Sequence, residues 1–84
     1  MKYVTLFHNG NQIEVHNSMM GKETIFYNGE QVSSKSSFFG AKHEFWVIED
    51  DEDVEYKVLI SFNWKIGIAF DIYRNGEPLF LTEV

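Results

Sequence analysis

The sequence predicts an all-β fold, a small antiparallel β-sandwich or flattened barrel of about eight short strands joined by hairpins. Three observations carry that prediction. Asn-Gly occurs at 9–10, 28–29 and 75–76, each time close behind an aromatic, in LFHNGNQIEV, FYNGEQVS and IYRNGEPLFL. Both residues of the pair tolerate a positive φ, which a two-residue type I′ hairpin turn requires. The stretches between turns alternate with period two: Val54, Tyr56, Val58, Ile60 and Phe62 share one face of a strand, and Ile66, Ile68, Phe70 and Ile72 one face of the next. No stretch has the apolar i, i+3, i+4, i+7 spacing of a capped helix, and only 33–38 leaves room for one helical turn.

The first strand, 2–8, turns at Asn9-Gly10 and returns as 11–17, where Ile13 and Val15 alternate with Glu14 and His16. A loop holding Met19-Met20 leads to 22–27, and Asn28-Gly29 returns the chain as 30–35. The serine-rich run to Phe38-Phe39-Gly40 reads as a crossing from one sheet to the other. Adjacent strand residues point to opposite faces, so one of the two phenylalanines anchors the crossing, unless Gly40 bends the chain. Strands 42–49 and 54–62 flank an acidic tip, Asn63-Trp64-Lys65 makes a tight connection to 66–74, and Asn75-Gly76 turns the chain into 77–82. Pro78 cannot donate a ladder hydrogen bond, which makes the last strand an edge. The expected core is Ile13, Val15, Val58, Ile60, Ile68, Phe70 and Ile72.

Eighty-four residues make one domain, 1–84, and 44% apolar with 17% aromatic content is ample for one core. Cysteine is absent, so no disulfide, thiolate nucleophile or cysteine metal site forms. The net charge is −6, and the seven basic residues (Lys2, Lys22, Lys35, Lys42, Lys57, Lys65 and Arg74) are scattered. Phosphate binding needs them clustered, so neither nucleic acid nor an anionic membrane is an expected partner. The first ten residues, MKYVTLFHNG, read as no signal peptide, and the longest apolar run, IGIAF at 66–70, is far short of a membrane span. The expected location is the cytoplasm.

Residues 13–32, IEVHNSMMGKETIFYNGEQV, resemble the Fas apoptotic inhibitory molecule family in their order of strand, small loop ending Gly21-Lys22, strand, and short glycine turn. The resemblance continues through Phe38-Phe39-Gly40 and FDIYRNGEPL at 70–79, and spans about four-fifths of the chain. It implies a compact antiparallel β-sandwich without an assigned catalytic centre, acting through protein contacts. The single copy, the Met19-Met20 pair and the acidic tip depart from the family pattern, and no site residues carry over.

The chain has no G-x-S-x-G, H-E-x-x-H or phosphate-cradling glycine loop, so no enzyme and no cofactor is expected. His8, His16 and His43 read as surface or strand-end histidines; His8 falls opposite Asn11 or Gln12, far from His16. Glu49-Asp50-Asp51-Glu52-Asp53-Val54-Glu55 lacks the EF-hand pattern of Gly at position six and Glu at twelve, and reads as a solvated hairpin tip; the alternative is weak divalent-cation binding. Met19, Met20 and Trp64 fall in connections, where pairing gives no reason for large apolar groups, and with Phe38 and Phe39 they are the candidate partner contacts. The alternative is that they cap the sheet ends. The expected function is therefore a non-catalytic module binding an unknown protein partner or a second copy of itself. The second reading is a small-ligand, carbohydrate-like module using Trp46, Trp64, Tyr56 and Tyr73, which requires those aromatics to line one open face.

Overall fold

In the computed structural model, which describes residues 2–18, 20–37, 40–65 and 67–82, every regular element is a β-strand. The strands are β1 (Lys2–His8), β2 (Asn11–Asn17), β3 (Lys22–Tyr27), β4 (Glu30–Ser36), β5 (Gly40–Glu49), β6 (Glu52–Asn63), β7 (Gly67–Arg74) and β8 (Glu77–Leu81). They form two four-stranded antiparallel sheets in chain order, β1-β2-β3-β4 and β5-β6-β7-β8. No ladder among the described strands joins the two sheets, so the strands are not hydrogen-bonded into one closed barrel. Residues 33–36 continue β4, so no helical turn forms there. No helix among the described residues is long and apolar enough to cross a membrane. The expected anchoring role of Phe38 or Phe39 lies outside the described residues, as does Ile66.

The Asn-Gly pairs all make turns with positive φ at both residues: 49° and 80° at Asn9-Gly10, 50° and 85° at Asn28-Gly29, 50° and 81° at Asn75-Gly76. Asn does more than tolerate that conformation. At Asn28 the backbone N–H donates to the Gln12 carbonyl at 2.8 Å, and the side-chain Oδ1 accepts from the Gln12 N–H at 2.8 Å. Asn75 repeats this with Glu55, at 2.8 and 3.0 Å. Each of these asparagines ends a strand with a neighbour on its outer side, β2 beside β3 and β6 beside β7, and extends the pairing one residue into the turn. Asn9 ends the edge strand β1, which has no such neighbour in its sheet, and its side chain contacts His8 instead. Asn28→Gly keeps the turn conformation and removes the brace, so it should cost about 1 kcal/mol, while Asn9→Gly should cost measurably less. Urea denaturation of the two variants checks this, and equal losses would leave the brace without energetic weight.

A fourth turn of this kind, at Asp50-Asp51 with φ of 50° and 63°, was not expected from the sequence. It shortens the acidic tip to two residues, because β6 begins at Glu52, opposite Glu49. Asp tolerates the left-handed region less readily than Gly but better than most residues.

The chain divides into two compact units, Met1–Phe38 and Phe39–Val84. In the first, one face of β2 and β3 is buried as opposed pairs, Ile13 with Tyr27, Val15 with Ile25 and Asn17 with Glu23. In the second, His43 opposes Val58, Phe45 opposes Tyr56, Val58 opposes Ile72 and Ile60 opposes Phe70, all buried. The Phe45 and Tyr56 rings stack at 5.3 Å between centroids. Six of the seven expected core residues are buried; the exception is Ile68, half-buried, and its partner Phe62 is 56% exposed. Alternation placed both inward. At their level, however, the sheet has narrowed: β5 starts opposite Ser61 and β8 ends opposite Asp71, so neither flanking strand reaches the 62–68 pair. Pro78 lies in the edge strand β8, as its missing donor requires, beside a pairing irregularity at Ile72/Tyr73.

Candidate functional site

Of the candidate contacts, Met20 is 81% exposed and Trp64 80% exposed. Met20 is presented by the β2–β3 turn, where the Ser18 hydroxyl accepts the backbone N–H groups of Met20 at 3.2 Å and Lys22 at 3.1 Å. Trp64 follows β6, with the Lys65 ammonium 5.5 Å from its ring centroid. The two belong to different units. Met19, Phe38 and Phe39 lie outside the described residues. Of these five, Met20 and Trp64 are the two that the structure describes.

A further exposed surface is the outward face of β5–β8. The pleat that buries His43, Phe45 and Glu49 turns Trp46 and Ile48 outward, 65% and 73% exposed. Register then fixes their neighbours: Trp46 opposes Glu55, Ile48 opposes Asp53, Glu44 opposes Lys57, and Lys57 opposes Tyr73. Beside this row a groove of about 280 Å³ is lined by Glu55, Lys57, Leu59, Tyr73 and Gly76. Trp46 and Tyr73 thus flank β6 on one face, roughly 10 Å apart across the strands and 7 Å along them. Of the four aromatics weighed for ligand binding, Tyr56 is fully buried against Phe45. Trp64 follows the far end of β6, roughly 30 Å along the strand from Glu55. Only Trp46 and Tyr73 share the open face.

Below the acidic turn lies a buried polar cluster. Glu49, 7% exposed, accepts a hydrogen bond from the Tyr56 hydroxyl at 2.5 Å and from Arg74 Nε and Nη2 at 3.1 and 2.7 Å. The sequence reading counted Glu49 with the solvated tip. Instead the pleat turns it to the face that carries Phe45, and Arg74 reaches it from β7. Burial, with the Glu49 carboxylate as acceptor, pushes the Tyr56 hydroxyl from 10.0 up to about 12. The same carboxylate raises the Arg74 guanidinium above its ordinary value. A phenol so held stays protonated near neutral pH and serves neither as base nor as nucleophile. Because the folded chain keeps this proton where the unfolded chain loses it, stability is fully present below pH 10 and declines as the pH rises towards 12. The expected loss is on the order of 2 kcal/mol. Urea midpoints at these pH values, with Tyr56→Phe as the reference that lacks this titration, measure it.

Within the first unit His8 and His16 lie at opposite ends of the β1–β2 hairpin. His8 opposes Asn11, and His16 lies against the Phe26 ring and 3.3 Å from Glu14. His43 is fully buried within β5, not a surface or strand-end residue, because its parity places it with Phe45 on the inward face. Among the described residues no three His, Asp or Glu side chains are grouped to hold a metal ion. The acidic run is separated by the pleat: Glu49 turns in to Arg74, Asp53 and Glu55 turn outward, and Asp50-Asp51 form the turn.

Sequence reasoning overlooked Ile48 and Glu55 as parts of a surface. Both faces of β5 carry apolar residues, so alternation alone does not say which is outward. The unambiguous inward row of β6 does, once the two-residue turn fixes the register. No family model matches the chain, and neither the curated proteins nor the solved structures contain a match.

Proposed function

We propose that this chain is a non-catalytic binding module that engages a protein partner through the outward face of β5–β8. The observation that carries this reading is the exposure of Trp46 and Ile48, adjacent outward positions within a strand where a polar residue would serve equally well for pairing. Resemblance to the Fas apoptotic inhibitory molecule family supports the same class of activity. Affinity capture by the wild-type chain and by Trp46→Ser/Ile48→Ser tests it. A partner held by the first and lost by the second, with the thermal midpoint unchanged, supports the reading. Equal capture by both would place binding elsewhere, with Met20 and Trp64 the next positions to charge.

A second reading, a carbohydrate-like ligand, is favoured by the groove beside Tyr73 and its carboxylate Glu55. Tryptophan fluorescence titrated with a glycan panel separates the two, since only the second expects saturable quenching that Trp46→Phe abolishes.

A further inference from the structure

The strands at the edges of the two sheets are β1, β4, β5 and β8. Three of these carry a bulge. Pairing skips Tyr3 in β1, Val32 in β4 and Leu79 in β8. Each extra residue bends its strand and interrupts the row of groups with which a further strand would pair. β8 also contains Pro78, which has no donor. β5 has none of these devices: its ten residues pair with β6 in unbroken register and include no proline. We infer that this bare edge pairs with β5 of a second copy of the chain, antiparallel across a twofold axis at Trp46, to make one continuous sheet. The inference goes beyond the binding-module reading and does not need it.

The turn determines which backbone groups the edge offers. Asp50-Asp51 is a two-residue turn, so Glu49 and Glu52 exchange both hydrogen bonds, and every second pair beyond them does the same. Trp46 and Glu55 are therefore opposed without ladder bonds between them. The far side of β6 agrees, since Asn75 takes both the Glu55 N–H and the Glu55 carbonyl. The N–H and C=O of Glu44, Trp46 and Ile48 thus point away from β6. Among the described residues, none of the backbone hydrogen bonds made outside the ladders involves these three. All three are exposed.

The occupant is identified by β5 itself, which is complementary to its own antiparallel copy. With Trp46 against Trp46 of the second copy, Glu44 stands against Ile48, and Lys42 reaches the Asp50-Asp51 turn of the other chain. The twofold axis makes that basic-to-acidic contact twice. Sliding the register two residues one way sets Glu44 against Asp50 of the second copy. Sliding it two residues the other way moves Lys42 from the turn to Ile48. A one-residue slip mismatches the donors and acceptors. Each chain carries a net charge of −6, but antiparallel pairing holds the two acidic turns well apart. Their separation along the strands is roughly 27 Å, against a screening length of about 8 Å at physiological ionic strength. Pairing also sets Trp46 and Ile48 of both copies side by side on one outward face.

Sedimentation equilibrium of the full chain is expected to show a reversible dimer. Glu44→Pro removes an outward N–H and no ladder bond to β6. It should weaken dimerisation at least about tenfold while the monomer keeps a folded amide spectrum. Cross-linking reads the register, unambiguously in a chain without cysteine. Trp46→Cys should oxidise to a disulfide-linked dimer. Glu44→Cys and Ile48→Cys should each cross-link poorly alone, because their own counterparts lie roughly 14 Å away along the strands, and readily when mixed. A wild-type chain that stays monomeric at millimolar concentration overturns the inference; if it still captures a partner, the binding-module reading stands without it. A dimer indifferent to Glu44→Pro, or one that cross-links through Glu44→Cys alone and not through Trp46→Cys, overturns it as well. Should Glu44→Pro fail to fold, the cross-linking pattern decides.

Discussion

Gly40→Ala is expected to be the most damaging single-atom addition in the chain. Gly40 has φ of 111°, a region that L side chains rarely adopt, and a Cβ there would fall 2.0 Å from the Ile60 carbonyl oxygen and 2.8 Å from Ser61 Cα. Both obstacles are backbone, towards the C-terminal end of β6, and neither can rotate away. Relief requires the start of β5 to separate from β6, at the pair Gly40–Ser61. The expected cost is at least about 3 kcal/mol, a large part of the stability of a domain this small. Gly29→Ala supplies the comparison. It sits at φ of 85° with nothing within 4 Å of the added Cβ, so it isolates the conformational term, about 1 kcal/mol. Equal losses in urea for the two variants would show that the start of β5 can move away from β6 at little cost.

The second large effect is expected at Glu49. Glu49→Leu keeps the volume and removes the acceptor of the Tyr56 hydroxyl, which lies on a fully buried residue, together with the counter-charge of Arg74. Leaving that buried donor without its carboxylate acceptor should cost about 1–3 kcal/mol, and loss of the part-buried Arg74 contact acts in the same direction. Adding Tyr56→Phe to Glu49→Leu removes the stranded hydroxyl, so the double variant should be more stable than the single one. That order, the reverse of additivity, is the readout that a double-mutant cycle provides. A further loss on adding Tyr56→Phe would mean that the hydroxyl is served mainly by other partners.

The strands were legible because each level of the sequence agreed with the next. Asn-Gly marks the turns, and alternation in β6 and β7 names the buried row; Val58, Ile60, Phe70 and Ile72 all fall on it. What escaped depended on lateral neighbours, which alternation does not contain. Ile68 and Phe62 have inward parity but sit where the sheet is only two strands wide. Glu49 and His43 are polar by type and buried by parity, and parity prevailed because the two-residue Asp50-Asp51 turn ties β5 rigidly to β6. The candidate contacts show the complementary difficulty. Met20 and Trp64 were chosen because connections are exposed, which they are, but each stands on a connection of a different unit. The face that does gather aromatic and charged groups runs along strands, and recognising it required the register linking Trp46 to Glu55 and Lys57 to Tyr73.

The order of the strands has a kinetic consequence. In both sheets every strand hydrogen-bonds only to the one before or after it in the chain, and the shortest connections are two residues. Each ladder can therefore zip outward from a local turn, with no distant segment to be found first. Mean sequence separation between paired residues is what slows most all-β proteins, and sheets built as meanders keep it low. Refolding should accordingly be faster than is usual for a β-protein of this length, with the Asn28-Gly29 and Asp50-Asp51 hairpins as natural starting points. Stopped-flow tryptophan fluorescence would follow it, since Trp46 lies within the strand that leads into the second of those turns.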